Sequence, residues 1–241
     1  MLALLGLATG YPFLSVVVAS PERIIRMFQS MMWPLRQALQ VSVAITVTAT
    51  VLGLLVTAAL AYGLSRPGVP GSRPLRLLVL YTMLFQGGMV PFYLVVRWLG
   101  LTNTFWSLVI PFLVNAWYLF ILVRFFEGFP SEVADAAHLD GCNDLQVFAC
   151  MVLPMSRPAL AAVGLFYAAD HWNQWFWAMV FLEDRRLHPL QLVLRGLIGR
   201  SAGDHYPIEA MVLTALPILV LALVLQRHLQ SGDLSLVLTR Q

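Results

Sequence analysis

Residues 38–64 read ALQVSVAITVTATVLGLLVTAALAYGL, within the longest stretch of the chain that has no Asp, Glu, Lys or Arg. A helix needs about 20 apolar residues to cross the hydrocarbon core of a bilayer, which is about 30 Å thick. This stretch is longer than that, and it carries no polar face that would suit the surface of a soluble protein. It therefore predicts a transmembrane helix.

The composition extends that prediction to the whole chain. Of its 241 residues, 59% are hydrophobic and only 11% are charged, against roughly 25% charged residues in an average soluble domain. So few charges cannot cover a soluble surface, and the sequence predicts an all-α, polytopic membrane protein with about six transmembrane helices. The six apolar stretches are Leu2–Ala19, Ala38–Leu64, Leu75–Val96, Trp106–Phe126, Ala159–Leu182 and Pro207–Leu225.

The basic residues exclude several functions. All 15 of them are arginine, so the chain has no lysine for a Walker A loop or for a Schiff base. If ATP drives this protein, another polypeptide binds the ATP. The net charge of +3 is scattered, which argues against a nucleic-acid partner.

A polar insert separates two of the apolar stretches. Residues 127–157 read EGFPSEVADAAHLDGCNDLQVFACMVLPMSR. Ser131 suits an N-cap, Glu132 and Asp135 suit the first turns, and Gly141 suits a left-handed helix end. The sequence thus predicts a short helix whose small apolar face is formed by Val133, Ala136 and Ala137. Such a helix fits a groove on another protein, and a solvated loop that joins two spans is the alternative.

The insert resembles the EAA signature of ABC importer permeases, in which E-A-A, a glycine and I-x-L-P follow one another at fixed spacing. Asp135–Ala137, Gly141 and Met151–Pro154 match that spacing at every step. Asp135 stands where Glu is usual, and Met151 stands where Ile is usual. Longer similarities, such as the FQGGMVPFY that begins at Phe85, resemble the oligosaccharide branch of the maltose-type sugar permeases.

The resemblance implies a permease subunit of an ATP-driven, binding-protein-dependent importer of sugars in the bacterial inner membrane. Its partners would be a second homologous permease, two ATP-binding subunits that carry ATP and Mg²⁺, an extracytoplasmic solute-binding protein and membrane lipid. The chain itself would bind no cofactor and would not be an enzyme. The insert would be the cytoplasmic coupling helix within an EAA loop at residues 130–154. The implied ATPase-coupling residues are Glu132, Asp135, Ala136, Ala137, Asp140, Gly141, Leu153 and Pro154.

The fifth apolar stretch contains the polar run DHWNQWFW, residues 170–177. Ionisable groups inside a membrane segment are costly and usually face a cavity or a partner. Aromatic faces and amides also suit sugar rings, so these residues are substrate-pathway candidates; an aromatic belt at the membrane interface is the alternative. The candidates are Asp170, His171, Trp172, Asn173, Trp175 and, from the fourth stretch, Asn115.

A second polar loop, residues 183–206, contains an amphipathic pattern over 189–199. This pattern predicts a short helix on the membrane surface or on a partner. Because the resemblance places the insert inside the cell, it places this loop outside. Its arginines are candidates for contact with the binding protein, with solvated arginines as the alternative. These candidates are Arg185, Arg186 and Arg195.

Two rival functions follow from other features. An ion-coupled secondary transporter or channel for small polar solutes would need intramembrane carboxylates in related halves of the chain, and only Asp170 is clearly intramembrane. A membrane enzyme could use Asp170 and His171 as an acid/base pair, but no third orienting group or metal-ligand spacing accompanies them. The expected organisation is a truncated-looking first helix and short outer loop at 1–36, a transmembrane core at 37–227 and a cytoplasmic tail at 228–241.

Overall fold

The computed structural model describes residues 32–66, 69, 71–85, 87–129 and 131–198. The predicted first and sixth spans, Leu2–Ala19 and Pro207–Leu225, lie outside these residues, as do the expected tail and most of residues 1–36. Every regular element in the described part is helical. The α-helices are α1 (Met32–Ser65), α2 (Ser72–Leu84), α3 (Met89–Trp98), α4 (Ala116–Glu127), α5 (Ser131–Leu139), α6 (Asp144–Val147), α7 (Leu153–Met155), α8 (Arg157–Trp172), α9 (Trp175–Phe181) and α10 (Leu190–Ile198).

Helix α1 confirms the prediction from residues 38–64. By length and composition, its segment Leu35–Ser65 is the one described helix that can cross a membrane by itself. Two bent pairs pass the same test together: Phe105–Phe112 with α4, at 44°, and Asp144–Met155 with α8, at 82°. Helix α1 packs mainly against α8 and α4, so these three helices form the centre of the described fold.

The third apolar stretch, Leu75–Val96, is interrupted in the sequence by Gly87, Gly88 and Pro91. The structure divides it into α2 and α3, with Phe85 extended and Gly88 at a φ of 82°. A positive φ is costly for residues with a Cβ, and glycine adopts it freely. Gly88 therefore lies at the interruption that the sequence indicates.

The fourth and fifth spans are also interrupted. Before α4 the chain forms short 3₁₀ turns at Phe105–Leu108 and Ile110–Phe112. Ahead of the fifth span, a π-helical stretch, Phe148–Val152, lies between α6 and α7. Helix α8 then ends at Trp172, and α9 begins at Trp175. The predicted span Ala159–Leu182 is thus two helices with a break at Asn173.

One apolar cluster joins these interrupted helices. It includes Ala134 and Ala137 of α5, side chains of α1 and α4, and Tyr167 of α8. At the end of the same cluster, Arg76 of α2 binds the carbonyl of Leu64, where α1 has unpaired C-terminal carbonyls. Its guanidinium also lies 2.8 Å from the Glu127 carboxylate at the end of α4. The ends of α1, α2 and α4 are therefore fixed together.

Candidate functional site

The described structure contains a cavity of roughly 450 Å³ between the 3₁₀ turns before α4 and the break between α8 and α9. Side-chain amides, an imidazole, a carboxylate and aromatic rings all face it. This mixture can bind a polar solute that also has apolar faces. The lining residues are Pro111, Phe112, Val114, Asn115, Tyr167, Ala169, Asp170, His171, Asn173, Gln174, Phe176 and Trp177.

Four of the six predicted pathway residues lie at this cavity: Asn115, Asp170, His171 and Asn173. The structure does not bring the other two to it. Trp172 is buried in a separate cluster with Leu190 and Leu194 of α10.

Trp175 also lies away from the cavity lining. Its ring lies under the guanidinium of Arg195, with 3.6 Å from the Arg195 Cζ to the ring centroid. Because residues on one helix point in different directions at successive positions, a run of polar and aromatic residues cannot all face one cavity. Trp172 and Trp175 instead pack against α10 and hold it in place.

Tyr167 is a central residue of the site that the sequence analysis did not identify. Its side chain is almost fully buried, and its hydroxyl lies 2.7 Å from Thr57 Oγ1 in α1. The hydroxyl donates to the Leu113 carbonyl at 3.1 Å and accepts from the Asn115 backbone N–H at 3.0 Å.

These bonds explain how the chain can be irregular at this depth. Residues 113–115 precede α4, where part of the backbone has no helical partner. Unpaired backbone groups are costly in a membrane unless protein side chains or water satisfy them. Tyr167 supplies those partners. Gly53 of α1 allows the Leu113 backbone to lie close to the helix, because a Cβ at position 53 would lie only 3.1 Å from the Leu113 oxygen. A tyrosine inside an apolar span was the available sequence signal.

Asp170 presents its carboxylate on the exposed side of α8. Its Oδ2 accepts a hydrogen bond from the Tyr118 hydroxyl of α4 at 2.6 Å. The Tyr118 ring stacks on Phe166 at 5.8 Å and meets Tyr167 edge-on at 4.8 Å. Packing thus fixes the hydroxyl that holds the carboxylate in place.

His171 is buried next to this pair and is oriented by its neighbours. Its ring is parallel to that of Tyr167 with a centroid distance of 6.0 Å, and its Nδ1 lies 3.3 Å from Gln174 Oε1. Asp170 and His171 therefore have different partners, and the structure gives no contact between them of the kind that an acid/base pair needs. Among the described residues, no group of three His, Cys, Asp or Glu side chains could hold a metal ion.

Asn173 forms the break between α8 and α9. Its side-chain Nδ2 donates to the Ala169 carbonyl at 2.9 Å, and this carbonyl also accepts from the Asn173 backbone N–H at 3.1 Å. Its Oδ1 accepts from Gln191 Nε2 of α10 at 3.4 Å. One side chain therefore lines the cavity and also contacts the helix of the second polar loop.

That loop is anchored to the chain rather than free. The predicted amphipathic helix is confirmed as α10, but its apolar residues Leu190 and Leu194 are buried against α1 and Trp172. The Leu190 N–H donates to Ser42 Oγ of α1 at 2.7 Å. The expectation that this face lies on the membrane surface or on a partner is therefore wrong, because the chain itself covers the described part of it.

The three candidate arginines of the loop are exposed but differ in their surroundings. Arg185 and Arg186 lie in a 3₁₀ turn in which Asp184 Oδ1 accepts from the Arg186 N–H at 2.9 Å. Arg195 is held on Trp175, as described above. Asn103, with a φ of 56°, accepts from the N–H groups of both Glu183 and Asp184 and so positions the start of the loop.

The EAA loop begins with α5, which confirms the predicted helix. Gly141 has a φ of 88°, its N–H donates to the His138 carbonyl at 3.0 Å, and the Cys142 N–H donates to the Ala137 carbonyl at 2.9 Å. This pair of bonds is the Schellman helix end that the glycine predicts. The His138 ring also contacts the Cys142 carbonyl at 2.9 Å and the Asp144 carboxylate at 3.5 Å.

The apolar face of α5 differs from the predicted one. Ala134 and Ala137 are buried in the chain's own core, whereas Ala136 and Asp135 are exposed. Val133, Ala136 and Ala137 therefore do not form one surface for a partner. The exposed surface instead includes Asp135, Ala136 and Leu139, and the Leu139 side chain is 89% exposed.

The rest of the EAA loop leads back into the membrane core. Asn143 and Gln146 form a reciprocal capping box, with each side chain bonded to the other's backbone N–H at 2.8–2.9 Å. Asp140 is exposed on the turn that ends α5, Leu153 packs against the core and Pro154 is exposed. The side chain of Glu132 is outside the described part of the structure.

Comparison with known proteins places these features in a family. The profile of a family described as binding-protein-dependent transport system inner membrane component matches residues 67–232. The chain is 38% identical over 214 residues to the polygalacturonan/rhamnogalacturonan transport system permease protein YtcP of Bacillus subtilis, covering 82% of this chain and 75% of the relative. It is 30% identical to the arabinooligosaccharides transport system permease protein AraQ of Halalkalibacterium halodurans, covering 79% of this chain and 70% of the relative.

A solved structure agrees with these relatives. It is the crystal structure of a bacterial ABC transporter involved in the import of the acidic polysaccharide alginate. The match has a TM-score of 0.76 and 30% identity, and it covers 81% of this chain and 75% of that chain.

Proposed function

Because the chain belongs to the family of inner membrane components of binding-protein-dependent transport systems, we propose that it is the permease subunit through which an ABC importer moves sugars or oligosaccharides. The family membership makes it a transport subunit and not an enzyme, and the ATPase is a separate subunit. It does not support the ion-coupled transporter or the channel. A solute-binding protein and an ATPase are its implied partners.

The sugar pathway passes through the cavity at the break between α8 and α9. The observation that carries this proposal is the lining of amides from Asn115, Asn173 and Gln174 beside the rings of Phe176 and Trp177. Amides can both donate to and accept from sugar hydroxyls, and aromatic faces can cover the apolar C–H side of a sugar ring. A second, homologous permease subunit completes the pathway.

The EAA loop couples this pathway to ATP hydrolysis. Its exposed residues Asp135, Ala136 and Leu139 dock on one of two ATP-binding subunits, which hold ATP and Mg²⁺. A movement of the docked helix is transmitted to the cavity through the apolar cluster that contains both Ala137 and Tyr167. In this arrangement the EAA loop is cytoplasmic and the loop with Arg185, Arg186 and Arg195 faces the binding protein.

The test is ATP-driven uptake of a labelled oligosaccharide into proteoliposomes that contain the whole transporter, with the binding protein supplied outside. Asn173→Ala should lower uptake several-fold, because it removes an amide from the cavity lining and two hydrogen bonds at the break. Assembly and basal ATP hydrolysis should persist. Gln40→Ala, at an exposed position of α1, is the matched control for loss of an amide elsewhere. Unchanged uptake by Asn173→Ala and by His171→Ala would contradict the assignment of the pathway.

A further inference from the structure

The charge of the cavity bears on which sugars can pass. Among the residues that line it, Asp170 has the one carboxylate, and none is an arginine. The other polar lining groups are uncharged amides and the His171 imidazole. The cavity that this subunit contributes is therefore anionic.

Three described arginines have partners outside the cavity. Arg195 lies over Trp175, which does not line the cavity. Arg76 and Arg124 pair with Glu127 at the end of α4. In the described part of the chain, Asp170 has no ion-pair partner.

The side-chain contact that Asp170 does have comes from an uncharged group. Tyr118 donates a hydrogen bond to Asp170 Oδ2 at 2.6 Å from an uncharged hydroxyl. A carboxylate has several lone-pair positions, so Oδ1 can still accept from a ligand. Tyr118 thus orients the Asp170 carboxylate, and Oδ1 remains available to a ligand on the exposed side of α8.

This arrangement favours one class of sugar. A carboxylate accepts hydrogen bonds from sugar hydroxyls, whereas a uronic acid brings a second carboxylate and is bound best by arginine forks. Two like charges a few ångströms apart repel each other, and the repulsion grows as water is excluded from between them. We propose that Asp170 is a specificity-determining residue that makes this subunit's part of the pathway prefer uncharged, hydroxyl-rich oligosaccharides over uronate oligosaccharides.

This inference rests on the proposed role of the cavity as the sugar pathway. It also separates the chain from the solved relative, which is involved in the import of an acidic polysaccharide, and from YtcP, which is named for polygalacturonan/rhamnogalacturonan transport. Shared fold and 30% identity do not carry over the charge preference, because a single side chain in the cavity can set it.

The experiment compares two probes, trigalacturonate and its fully methyl-esterified form, which has no charge and carries three added methyl groups. Their dissociation constants are measured by equilibrium dialysis against the complete transporter in nanodiscs, without the binding protein, so that its own selectivity does not enter. Wild type should bind the ester about tenfold or more tightly than the acid, the ratio that a modest charge repulsion produces. Asp170→Asn keeps the shape and the acceptor for Tyr118, and it should bring the two constants to within a few-fold of each other.

Two control variants sharpen the result. Glu183→Gln removes the same charge from an exposed loop residue outside the cavity and should leave the ratio unchanged. Tyr118→Phe removes the hydrogen bond but not the charge, so it should keep the preference for the ester.

Three outcomes would overturn the inference: equal or tighter binding of the acid by wild type, a ratio that Asp170→Asn does not change, or no binding of either probe. The proposed function is judged separately by ATP-driven sugar uptake. Uptake without the charge preference would reject only the role of Asp170, and absence of uptake of any sugar would reject the pathway itself.

Discussion

The chain ends a helix in two different ways at Gly141 and at Asn173. At Gly141 the turn is made by the backbone of residues 137–142, through bonds to the Ala137 and His138 carbonyls. At Asn173 the turn is held partly by side chains of a distant segment, because Gln191 contacts Asn173 and Arg195 covers Trp175. A turn formed by its own backbone keeps its shape when its surroundings move. A turn held from another element changes when that element moves.

This difference suits two tasks. The EAA loop can keep its internal shape when its surroundings move, because the end of α5 and the capping box of α6 are both local. The rim of the cavity can respond to α10, because Asn173 belongs to both. The comparison can be tested at each end.

The largest effect is expected from a matched pair of substitutions in α5. Ala137 is buried in the core and Ala136 is exposed. Ala137→Glu would bury a charge at a cost of several kcal/mol, so it should abolish stable insertion and assembly. Ala136→Glu should insert normally but lose the ATPase subunits or uncouple them. Membrane levels and co-purification of the ATPase measure both, and equal behaviour of the two variants would contradict the assigned faces of α5.

The next effect concerns the cavity end. Tyr167→Phe leaves the Asn115 N–H and the Leu113 carbonyl with fewer partners, and unsatisfied buried groups cost about 1–3 kcal/mol. We expect a lower midpoint of thermal unfolding for the purified transporter. Tyr81→Phe is the control, since Tyr81 is 60% exposed and stacks on Phe85. A midpoint for Tyr167→Phe equal to that of the control would show that the hydroxyl does not support the irregular backbone.

A smaller effect tests whether the Gly141 turn depends on backbone conformation alone. A Cβ at Gly141 would meet no atom within 4 Å, but the φ is +88°. Gly141→Val should therefore cost about 1–2 kcal/mol through strain, whereas Gly141→Asn should be tolerated better because Asn adopts this region more readily. Sugar-dependent ATP hydrolysis is measured for both variants. If valine and asparagine gave the same result, a contact with a partner and not the turn would explain this glycine.

The smallest effect concerns the contact of Arg195 with Trp175, which helps to hold the turn at Asn173. Arg195→Gln removes a cation–π contact worth about 0.5–1 kcal/mol at an exposed site. We expect weaker stimulation of ATP hydrolysis by the loaded binding protein with basal hydrolysis retained. Arg185→Gln removes an equal charge from the same loop without loosening Trp175, so a similar loss in both would indicate a general charge effect.

The elements predicted correctly from the sequence are those whose signal is local. The uncharged run in α1, the acidic start of α5 and the glycine at 141 each specify their structure within a few residues. The interruption at Gly88 was visible from the glycines, whereas the break at Asn173 was not, because hydropathy does not distinguish a continuous span from two helices. The partner face of α5 was misassigned for a related reason: alanines on two sides of a short helix give the same pattern, and only packing shows which side is covered.

The cavity residues illustrate the same limit. Asp170, His171 and Asn173 were found because polar groups in an apolar stretch are conspicuous. Trp172 and Trp175 belong to the same run but pack against α10. Their roles could not be predicted from the run itself, because α10 is a later segment of the chain. Tyr167 was missed because its role arises from Leu113 and Asn115, whose backbone leaves the helix only in the folded protein.

The bend of 82° between Asp144–Met155 and α8 has a mechanical consequence. Two segments at nearly a right angle act as the arms of a bell crank. A thrust along the first arm has almost no component along the axis of the second, so it swings or rolls α8 sideways. Asp170 and His171, near the far end of that arm, would then sweep across the cavity rather than slide along it. With the coupling proposed above, a small displacement at the EAA loop would change the width of the cavity.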